Sequence, residues 1–420
     1  MAGPVLAMTG TNVFVTLLGF ATGPFLARAL GPADRGVLAA IVVPLTLAPW
    51  VVNLGLPAYA TREAARGRDL GVLVGSLGLA SIVLGLVALG PGFAVASFLA
   101  QGESVVEHYL RIGFALLPLT LLTGLYFALL NGAQRWRALV AARVLPFLVP
   151  AIVISVLFFI GRLTVSTAAL TTILAMNLSI VPGLFSFGLL RIRVSRNCIA
   201  SGLRFGLKSW LGTLGSLTKY RLDQLMMIPL TSSRQLGLYV VAVTISGAAD
   251  AVTAAVSTVA SPRVSRGDRT LAARGMRVLL LIVTVAAGLL AIAVPWVLPL
   301  LFGSRFSDAI GMTWILLAAS IPGQGAFVLS ALLTAAGRPG LVTIGELLAL
   351  AVTVPGLVLL LPSLGGIGAA LVSLVAYSLA FGYLLITARS HFRMPLADFL
   401  VVRGSDFAQA RASMNPERAR

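Results

Sequence analysis

Long apolar runs, separated by short polar, glycine-rich or proline-rich breaks, extend along almost all of the 420-residue chain. Most of these runs reach about 20 residues, which is the length that an α-helix needs to cross the hydrocarbon core of a bilayer. Hydropathy and the breaks together predict twelve membrane-spanning helices, near residues 7–30, 36–60, 70–99, 106–131, 138–160, 165–190, 207–231, 236–261, 277–302, 308–335, 340–362 and 366–388. The pattern therefore predicts an all-α, polytopic membrane protein.

The first six predicted helices resemble the last six. FALLNGAQRWRALV (127–140) aligns with SALLTAAGRPGLVT (330–343) at an offset of 203 residues, and LGPADRGVLAAIV (30–42) aligns with TSSRQLGLYVVAV (231–243) at an offset of 201. Two similar offsets near half the chain length indicate a duplicated six-helix unit. Because six is an even number, the two copies run parallel across the membrane, and repeats of this kind hold the substrate site between them.

The duplication also predicts how the chain is divided into domains. We expect an N-lobe with spans 1 to 6, a basic cytoplasmic linker, a C-lobe with spans 7 to 12 and a cytoplasmic tail, at residues 1–192, 193–206, 207–392 and 393–420. The tail ends in small, polar and charged residues that have little surface to bury. From about Met394 onwards it is therefore expected to be dispensable for transport.

The 31 Lys and Arg residues are distributed unevenly between the predicted loops. Loops and adjoining span ends on the side of the N-terminus hold 23 of them, those on the opposite side hold six, and two lie at the centre of a predicted span. Because Lys and Arg concentrate in cytoplasmic loops, we predict a multi-pass protein of the cell (cytoplasmic) membrane with both termini in the cytoplasm. Loops that face anionic lipid headgroups then account for the net charge of +18, and nucleic acid is not expected as a partner.

The seventh predicted span, SWLGTLGSLTKYRLDQLMMIPLTSS, carries Lys219, Arg221 and Asp223 at its centre. Each basic side chain costs about 2.5–3.5 kcal/mol at the membrane midplane unless it faces protein, water or an anion. Drawn as one continuous helix, the span has an apolar face that suits lipid and a polar face that includes Tyr220 and Gln224. Two interpretations stay open: a cationic patch that lines a cavity, or a structural Lys219–Asp223 pair that joins two helices.

Further ionisable residues lie inside or at the ends of predicted spans. Asp223 and Asp250 are candidates for proton or sodium coupling, although Asp250 also suits a structural partner for the basic residues of the seventh span. Arg143 and Glu346 occupy matching positions under the 203-residue offset and suggest an inner gate, while snorkelling to the interface is the simpler account. Arg28 ends the first span, either as an interfacial anchor or as part of the cavity lining.

The chain lacks the residues that ATP hydrolysis or a metal site would require. Its only lysines, Lys208 and Lys219, follow no glycine-rich loop, so a Walker A motif is absent. Cys198, His108 and His391 are far apart in sequence, which makes a zinc site unexpected. No cofactor or metal is therefore predicted, and the membrane potential or coupling to H⁺ or Na⁺ is left as the energy source. No predicted loop is long enough for a catalytic domain, so an enzyme is not expected.

A family resemblance is carried by four segments, PFLARALGPADRGVLAA (24–40), LKSWLGTLGSLTKYRLDQLMM (207–227), LGLYVVAV (236–243) and ASPRVSRGD (260–268). These segments resemble the Wzx-like polysaccharide or oligosaccharide flippases of the multidrug/oligosaccharidyl-lipid/polysaccharide (MOP) exporter superfamily. The resemblance implies a V-shaped, two-lobe helical transporter that moves an undecaprenyl-pyrophosphate-linked saccharide from the inner to the outer leaflet by alternating access. It also implies that central basic residues bind the pyrophosphate. This role falls here on Lys219, Arg221 and Arg28, with Tyr220 and Gln224 beside them.

Three other functions stay open at this point. A drug or cation antiporter of the MATE type would need a cavity dominated by carboxylates and aromatic rings, whereas the seventh span carries two cations and one anion. A membrane-embedded glycan polymerase or ligase would need long exterior loops. A non-transporting scaffold for glycan assembly would look the same in sequence as a flippase. For the flippase, the expected partners are a polyprenyl-linked saccharide, membrane lipids and polysaccharide assembly proteins.

Overall fold

The computed structural model describes residues 2–188, 191–216, 221–247 and 269–400, and within these ranges the chain is helical with no β-strand. The helices up to residue 187 are α1 (Ala2–Val52), α2 (Leu56–Ala65), α3 (Leu70–Val87), α4 (Leu89–Ala100), α5 (Ser104–Ala115), α6 (Leu117–Gly132), α7 (Trp136–Phe159), α8 (Val165–Ala175) and α9 (Ile180–Phe187). They are followed by α10 (Arg196–Ser216), α11 (Leu222–Leu230), α12 (Ser233–Ser246), α13 (Arg269–Phe302), α14 (Ala309–Ala335), α15 (Pro339–Phe392) and α16 (Ala397–Leu400). The predicted all-α fold is confirmed.

Helices α1 and α15 each hold two predicted spans that are joined without a loop. They contain 51 and 54 residues, so a straight helix of either length would measure about 75–80 Å against a hydrocarbon core of about 30 Å. Each is broken at one glycine, Gly31 (φ 75°, ψ 177°) in α1 and Gly365 (φ 53°, ψ −133°) in α15. Both breaks fall between two predicted spans. Glycine suits these positions because it alone adopts these backbone angles without strain.

Seven helices of the described ranges are long and apolar enough to cross a membrane, and one bent pair makes an eighth. The bent pair is α5 and α6, which meet at an angle of 51° at a break beside Leu116. Pro118 lies in the first turn of α6, where proline fits because the missing N–H has no helical partner. The predicted fourth span is therefore bent at a proline. Part of the predicted eighth span, residues 248–261, lies outside the described residues.

The chain forms two compact units. Unit 1 comprises Met1–Val241 with Pro299–Ser307, and unit 2 comprises Ala242–Leu298 with Asp308–Arg420. The core of unit 1 is built by α2, α3, α6, α7 and α10, through buried residues that include Leu73, Leu77, Leu125, Leu129 and Cys198. The core of unit 2 is built by α13, α14, α15 and α16, through residues that include Met276, Leu329, Leu384 and Phe399. The predicted division into lobes at 193–206 stays a prediction.

Most of the predicted linker is helical, since α10 begins at Arg196. The preceding residues lie on α3, where the Arg193 N–H donates to the Gly71 carbonyl over 3.3 Å and the Ser195 N–H donates to Ser76 Oγ over 2.9 Å. Further along, Cys198 on α10 is fully buried in the core of unit 1. Arg191, Ile192, Arg193 and Val194 keep their side chains exposed, as an interfacial segment requires.

A predicted polar loop between α2 and α3 is ordered around one carboxylate. Glu63 forms ion pairs with Arg66 over 3.4 Å and with Arg68 over 3.1 Å. The hydrogen bond that Arg68 donates to Glu63 is the main reason why the pKa of the Arg68 guanidinium is raised. Since all three residues are outside the predicted spans, these contacts order a short loop and place no charge in the membrane.

The beginning of the predicted tail is part of the core of unit 2. Phe399 is fully buried, and Arg277 on α13 donates a hydrogen bond to the Asp398 carbonyl. The expectation that the chain is dispensable from Met394 onwards therefore needs correction. A buried phenylalanine contributes several kcal/mol to stability, so only the part beyond residue 400, which lies outside the described residues, stays predicted as dispensable.

Candidate functional site

The seventh predicted span is broken at its charged centre. Helix α10 ends at Ser216 and α11 begins at Leu222, with Arg221 as the N-cap in a left-handed conformation (φ 68°, ψ 25°). A right-handed helix cannot continue through such a residue. The single continuous helix assumed from the sequence is therefore wrong at Arg221, while the Lys219–Asp223 pair stays a prediction. Lys219 itself lies outside the described residues, as do Tyr220 and Asp250.

Asp223 connects α11 to α12. Its carboxylate accepts a hydrogen bond from the Tyr239 hydroxyl on α12, and it also accepts one from the Gln224 N–H over 2.8 Å. The side chain is half-buried, and Tyr239 is fully buried. Gln101 holds the other end of α11, because its Nε2 donates to the Pro229 carbonyl over 2.8 Å. The short helix that carries the site is thus fixed at both ends by polar contacts within unit 1.

Arg35 is a functional candidate that the sequence analysis missed. It lies on α1, directly before Gly36, and its Nε is buried without a hydrogen-bond partner among the residues that the structure describes. Helix α1 packs against α11, which brings Arg35 near Arg221, and Arg221 in turn lies near Asp223. Two neighbouring cations, one of them with an unsatisfied buried donor, form a natural place for an anion.

Gln224 adds an unsatisfied acceptor to the same region. It is 2% exposed, and its Oε1 has no hydrogen-bond partner in the described part of the chain. A buried amide oxygen without a partner costs about 1–3 kcal/mol. Within the described ranges, the site thus contains a buried donor on Arg35 and a buried acceptor on Gln224 that have no partner, and these are the two kinds of group that bind a phosphate and a hydroxyl respectively.

Arg28 has contacts of a different kind. Its Nε donates to the Leu301 carbonyl over 3.0 Å, and its Nη2 donates to the Leu300 carbonyl. Both carbonyls belong to the last turn of α13, where main-chain oxygens have no helical partner. Arg28 therefore caps a helix C-terminus with an exposed side chain. Its role towards a cargo stays a prediction.

The predicted inner gate is divided between the two units. Arg143 on α7 is exposed and belongs to unit 1, whereas Glu346 on α15 is buried and belongs to unit 2. The surroundings of each side chain are therefore given only by residues of its own unit. The proposed pairing of the two stays a prediction.

The chain resembles one protein family in sequence and solved membrane transporters in structure. Residues 4–268 match a family described as polysaccharide biosynthesis protein. An inward-facing multidrug resistance transporter of the MATE family in the MOP superfamily is 16% identical over 90% of this chain and 94% of its own, with a TM-score of 0.68. The lipid II flippase MurJ in an inward closed conformation is 12% identical over 94% of this chain and 89% of its own, with a TM-score of 0.76.

A third solved structure is a MOP superfamily transporter from Pyrococcus furiosus, whose binding pocket is described as having reverse polarity. It is 16% identical over 93% of this chain and 94% of its own, with a TM-score of 0.58. No curated protein sequence matches the chain. Because the family match covers more than half of the residues and the three structures share the fold along most of the chain, the protein is a multi-pass membrane protein that belongs to the polysaccharide biosynthesis protein family and has the fold of the MOP superfamily transporters.

Proposed function

We propose that this protein is a flippase that moves a polyprenyl-pyrophosphate-linked oligosaccharide from the cytoplasmic to the outer leaflet, by alternating access, for the synthesis of cell-surface polysaccharide. The observation that carries the proposal is the pair of arginines, Arg35 and Arg221, at the broken seventh span. The family match supports it, and so does the fold, which the lipid II flippase MurJ shares.

The polarity of the site favours an anionic cargo. A cation held by Arg35 and Arg221 would add a third positive charge, whereas a pyrophosphate would be attracted by both guanidinium groups. Hydrogen bonds from a guanidinium to a phosphate are about twice as strong as bonds between neutral groups. The same polarity argues against a drug or cation antiporter. The transporter from Pyrococcus furiosus, with its reverse polarity, supports the view that pocket charge differs among proteins of this fold.

The site also suits the sugar that would follow the pyrophosphate. A saccharide presents hydroxyl groups that donate hydrogen bonds, and Gln224 offers a buried amide oxygen that no described residue contacts by a hydrogen bond. The α11 N-terminus begins beside Arg221 and adds main-chain N–H groups that favour an anion. Broken helices of this kind form substrate sites in other membrane transporters.

The membrane potential is the proposed source of energy. Moving two negative charges out of a negative interior releases about 4.6 kcal/mol per 100 mV, since one charge is worth about 2.3 kcal/mol. Coupling to H⁺ or Na⁺ through Asp223 or Asp250 is an addition to this proposal. Polysaccharide assembly proteins are the proposed partners that would receive the cargo.

Binding to undecaprenyl pyrophosphate tests the proposal, with uncharged undecaprenol as the control ligand. We expect the purified protein to bind the pyrophosphate lipid more tightly. Arg221→Gln and Arg35→Gln should each weaken binding about tenfold or more, since a hydrogen bond to a charged group contributes about 1.5–3 kcal/mol and 1.4 kcal/mol corresponds to a factor of ten. Lys219→Arg should retain more binding than Lys219→Ala. Arg162→Gln, at an exposed loop position, is the matched control and should leave Kd unchanged.

Equal binding of the two prenyl lipids, or Kd values that do not respond to either arginine variant, would contradict the proposal. Uptake of a cationic dye that is insensitive to Arg221→Gln would instead favour a drug antiporter. In cells, loss of the protein should cause lipid-linked saccharide to accumulate on the inner leaflet. A scaffold without transport activity would give no flux of the lipid in reconstituted vesicles.

A further inference from the structure

The end of α15 and the first residues of the tail form an open groove. Its volume is about 570 Å³, and it is lined by Ile386, Arg389, Ser390, Arg393, Met394 and Pro395. This volume lies within the range of about 300–1,000 Å³ that is typical of sites for small molecules. All of the lining residues belong to unit 2, so one compact unit contains the whole groove.

The wall that the tail contributes is held by the core of unit 2. Phe399 is fully buried in this core, and the buried Arg277 on α13 donates a hydrogen bond to the Asp398 carbonyl. Met394, in the wall itself, packs against the same core. The groove is therefore built by the fold, and its position does not depend on a ligand.

An arginine occupies the turn at which α15 ends. Arg393 has left-handed backbone angles (φ 54°, ψ 42°), and the Met394 N–H donates to the Arg389 carbonyl over 3.3 Å. A residue in this conformation at a helix C-terminus is usually glycine, which adopts it without strain. The turn places Arg393 in the same groove as Arg389, so the strained residue supplies a second guanidinium.

The groove attracts negative charge. Arg389 and Arg393 are both exposed, and no carboxylate is among the described residues that line the groove. The C-terminus of a helix carries about half a negative elementary charge, which two full positive charges outweigh. Ser390 adds a hydroxyl that can donate a hydrogen bond. The polar part of the groove therefore suits a phosphate oxygen.

The groove also lies at the level of the lipid headgroups. The last predicted span ends at residue 388, directly before Arg389, and the Lys and Arg distribution predicts that this end faces the cytoplasm. One turn further into the membrane, Ile386 is 64% exposed and offers an apolar surface. A ligand with an anionic head and an apolar body matches both parts of the groove at once.

We propose that this groove binds an anionic phospholipid of the inner leaflet. Arg389 and Arg393 contact its phosphate, Ser390 donates a hydrogen bond to the headgroup, and Ile386 lies beside the acyl chains. The residues differ from those of the candidate site at Arg35 and Arg221. The proposal therefore does not depend on the identity of the transported cargo.

Native mass spectrometry of the purified full-length protein in an uncharged detergent tests the site, because it resolves successive bound lipids. We expect the first phosphatidylglycerol to bind more tightly than phosphatidylcholine. Arg389→Gln and Arg393→Gln should each raise the Kd of that first phosphatidylglycerol about tenfold, since each removes a charge-assisted hydrogen bond to phosphate. Arg35→Gln should leave this Kd unchanged, which separates the groove from the candidate site.

Arg338→Gln is the matched control. Arg338 is exposed and is the N-cap of the same helix, α15, at the end predicted to lie on the same side of the membrane. The variant removes the same charge outside the groove and should leave the first Kd unchanged. If Arg338→Gln weakens binding as much as Arg389→Gln does, general attraction between basic residues and anionic lipid accounts for the effect, and the proposed site is wrong. Equal Kd values for the two phospholipids would also overturn it.

Arg393→Gly separates lipid binding from folding. Glycine fits the left-handed turn without strain, so the thermal unfolding midpoint in phosphatidylcholine should be equal to that of the unaltered protein or higher. The Kd of phosphatidylglycerol should nevertheless rise about tenfold, as for Arg393→Gln. An unchanged Kd, or a rise accompanied by a lower unfolding midpoint, would contradict a lipid contact at Arg393.

Inorganic phosphate distinguishes a lipid site from a site for free anions. It lacks the apolar body that Ile386 would contact, so we expect it not to displace phosphatidylglycerol when both are present at equal concentration. Displacement at equal concentration would assign the groove to free phosphate and overturn the lipid proposal.

Discussion

At the scale of single residues, the candidate site combines charges of the seventh predicted span with partners that lie on other helices. Lys219, Arg221 and Asp223 stood out because charge inside an apolar run is costly. Arg35 did not, because it follows a short polar break and resembles any loop arginine. Its buried Nε becomes apparent only when α1 and α11 are folded together. The hydrogen bond between Tyr239 and Asp223 could not be predicted from the sequence either. A contact between two helices across 16 residues produces no periodic pattern in the sequence.

The hydrogen bond between Tyr239 and Asp223 gives a prediction at this scale. Tyr239→Phe should lower the free energy of unfolding by about 1.5–3 kcal/mol, because it leaves a half-buried carboxylate without one donor. Adding Asp223→Asn should recover part of that loss, and the coupling measured by the double-mutant cycle should reach about 0.5–3 kcal/mol. Denaturant unfolding in detergent provides the measurement, with Tyr109→Phe as the control. Additive losses would show that the two side chains do not act together.

At the scale of helices, the breaks in hydropathy located most elements but not their connections. Gly31 and Gly365 lie where the sequence predicted a loop, yet the chain turns there within a single residue. The prediction of a continuous seventh span failed because hydropathy measures polarity and carries no information on backbone angles. Arg221 has no special propensity for a left-handed conformation. The break at α11 is therefore imposed by tertiary contacts, and local sequence could not reveal it.

Gly365 allows a matched comparison within one helix. Gly365→Ala should destabilise the protein by about 1–3 kcal/mol, because a side chain at φ 53° and ψ −133° is strained. Gly382→Ala on the same helix meets open space and should be neutral or stabilising by up to about 1 kcal/mol. Thermal unfolding midpoints of the two variants provide the measurement. A Gly365→Ala protein as stable as Gly382→Ala would mean that α15 does not need the break.

At the scale of the whole molecule, the uneven distribution of Lys and Arg predicts both termini in the cytoplasm. Arg162, Arg196 and Arg305 are exposed and suit labelling. On a Cys198→Ala background, an impermeant reagent added outside intact cells should label Arg162→Cys and Arg305→Cys but not Arg196→Cys. Lysed cells should show labelling at all three positions. The opposite pattern in intact cells would invert the topology and, with it, the direction of transport.

The anchoring of α10 has a mechanical consequence. Gly206 is buried on this helix, and the Trp210 indole N–H donates to the Trp50 carbonyl over 3.1 Å. The first part of α10 is therefore held against its neighbours. Because the left-handed Arg221 interrupts the helix, a displacement of α11 is not transmitted to α10 along a single rigid rod. Under the proposed function, an anion bound by Arg221 acts at the residue where the helix is interrupted.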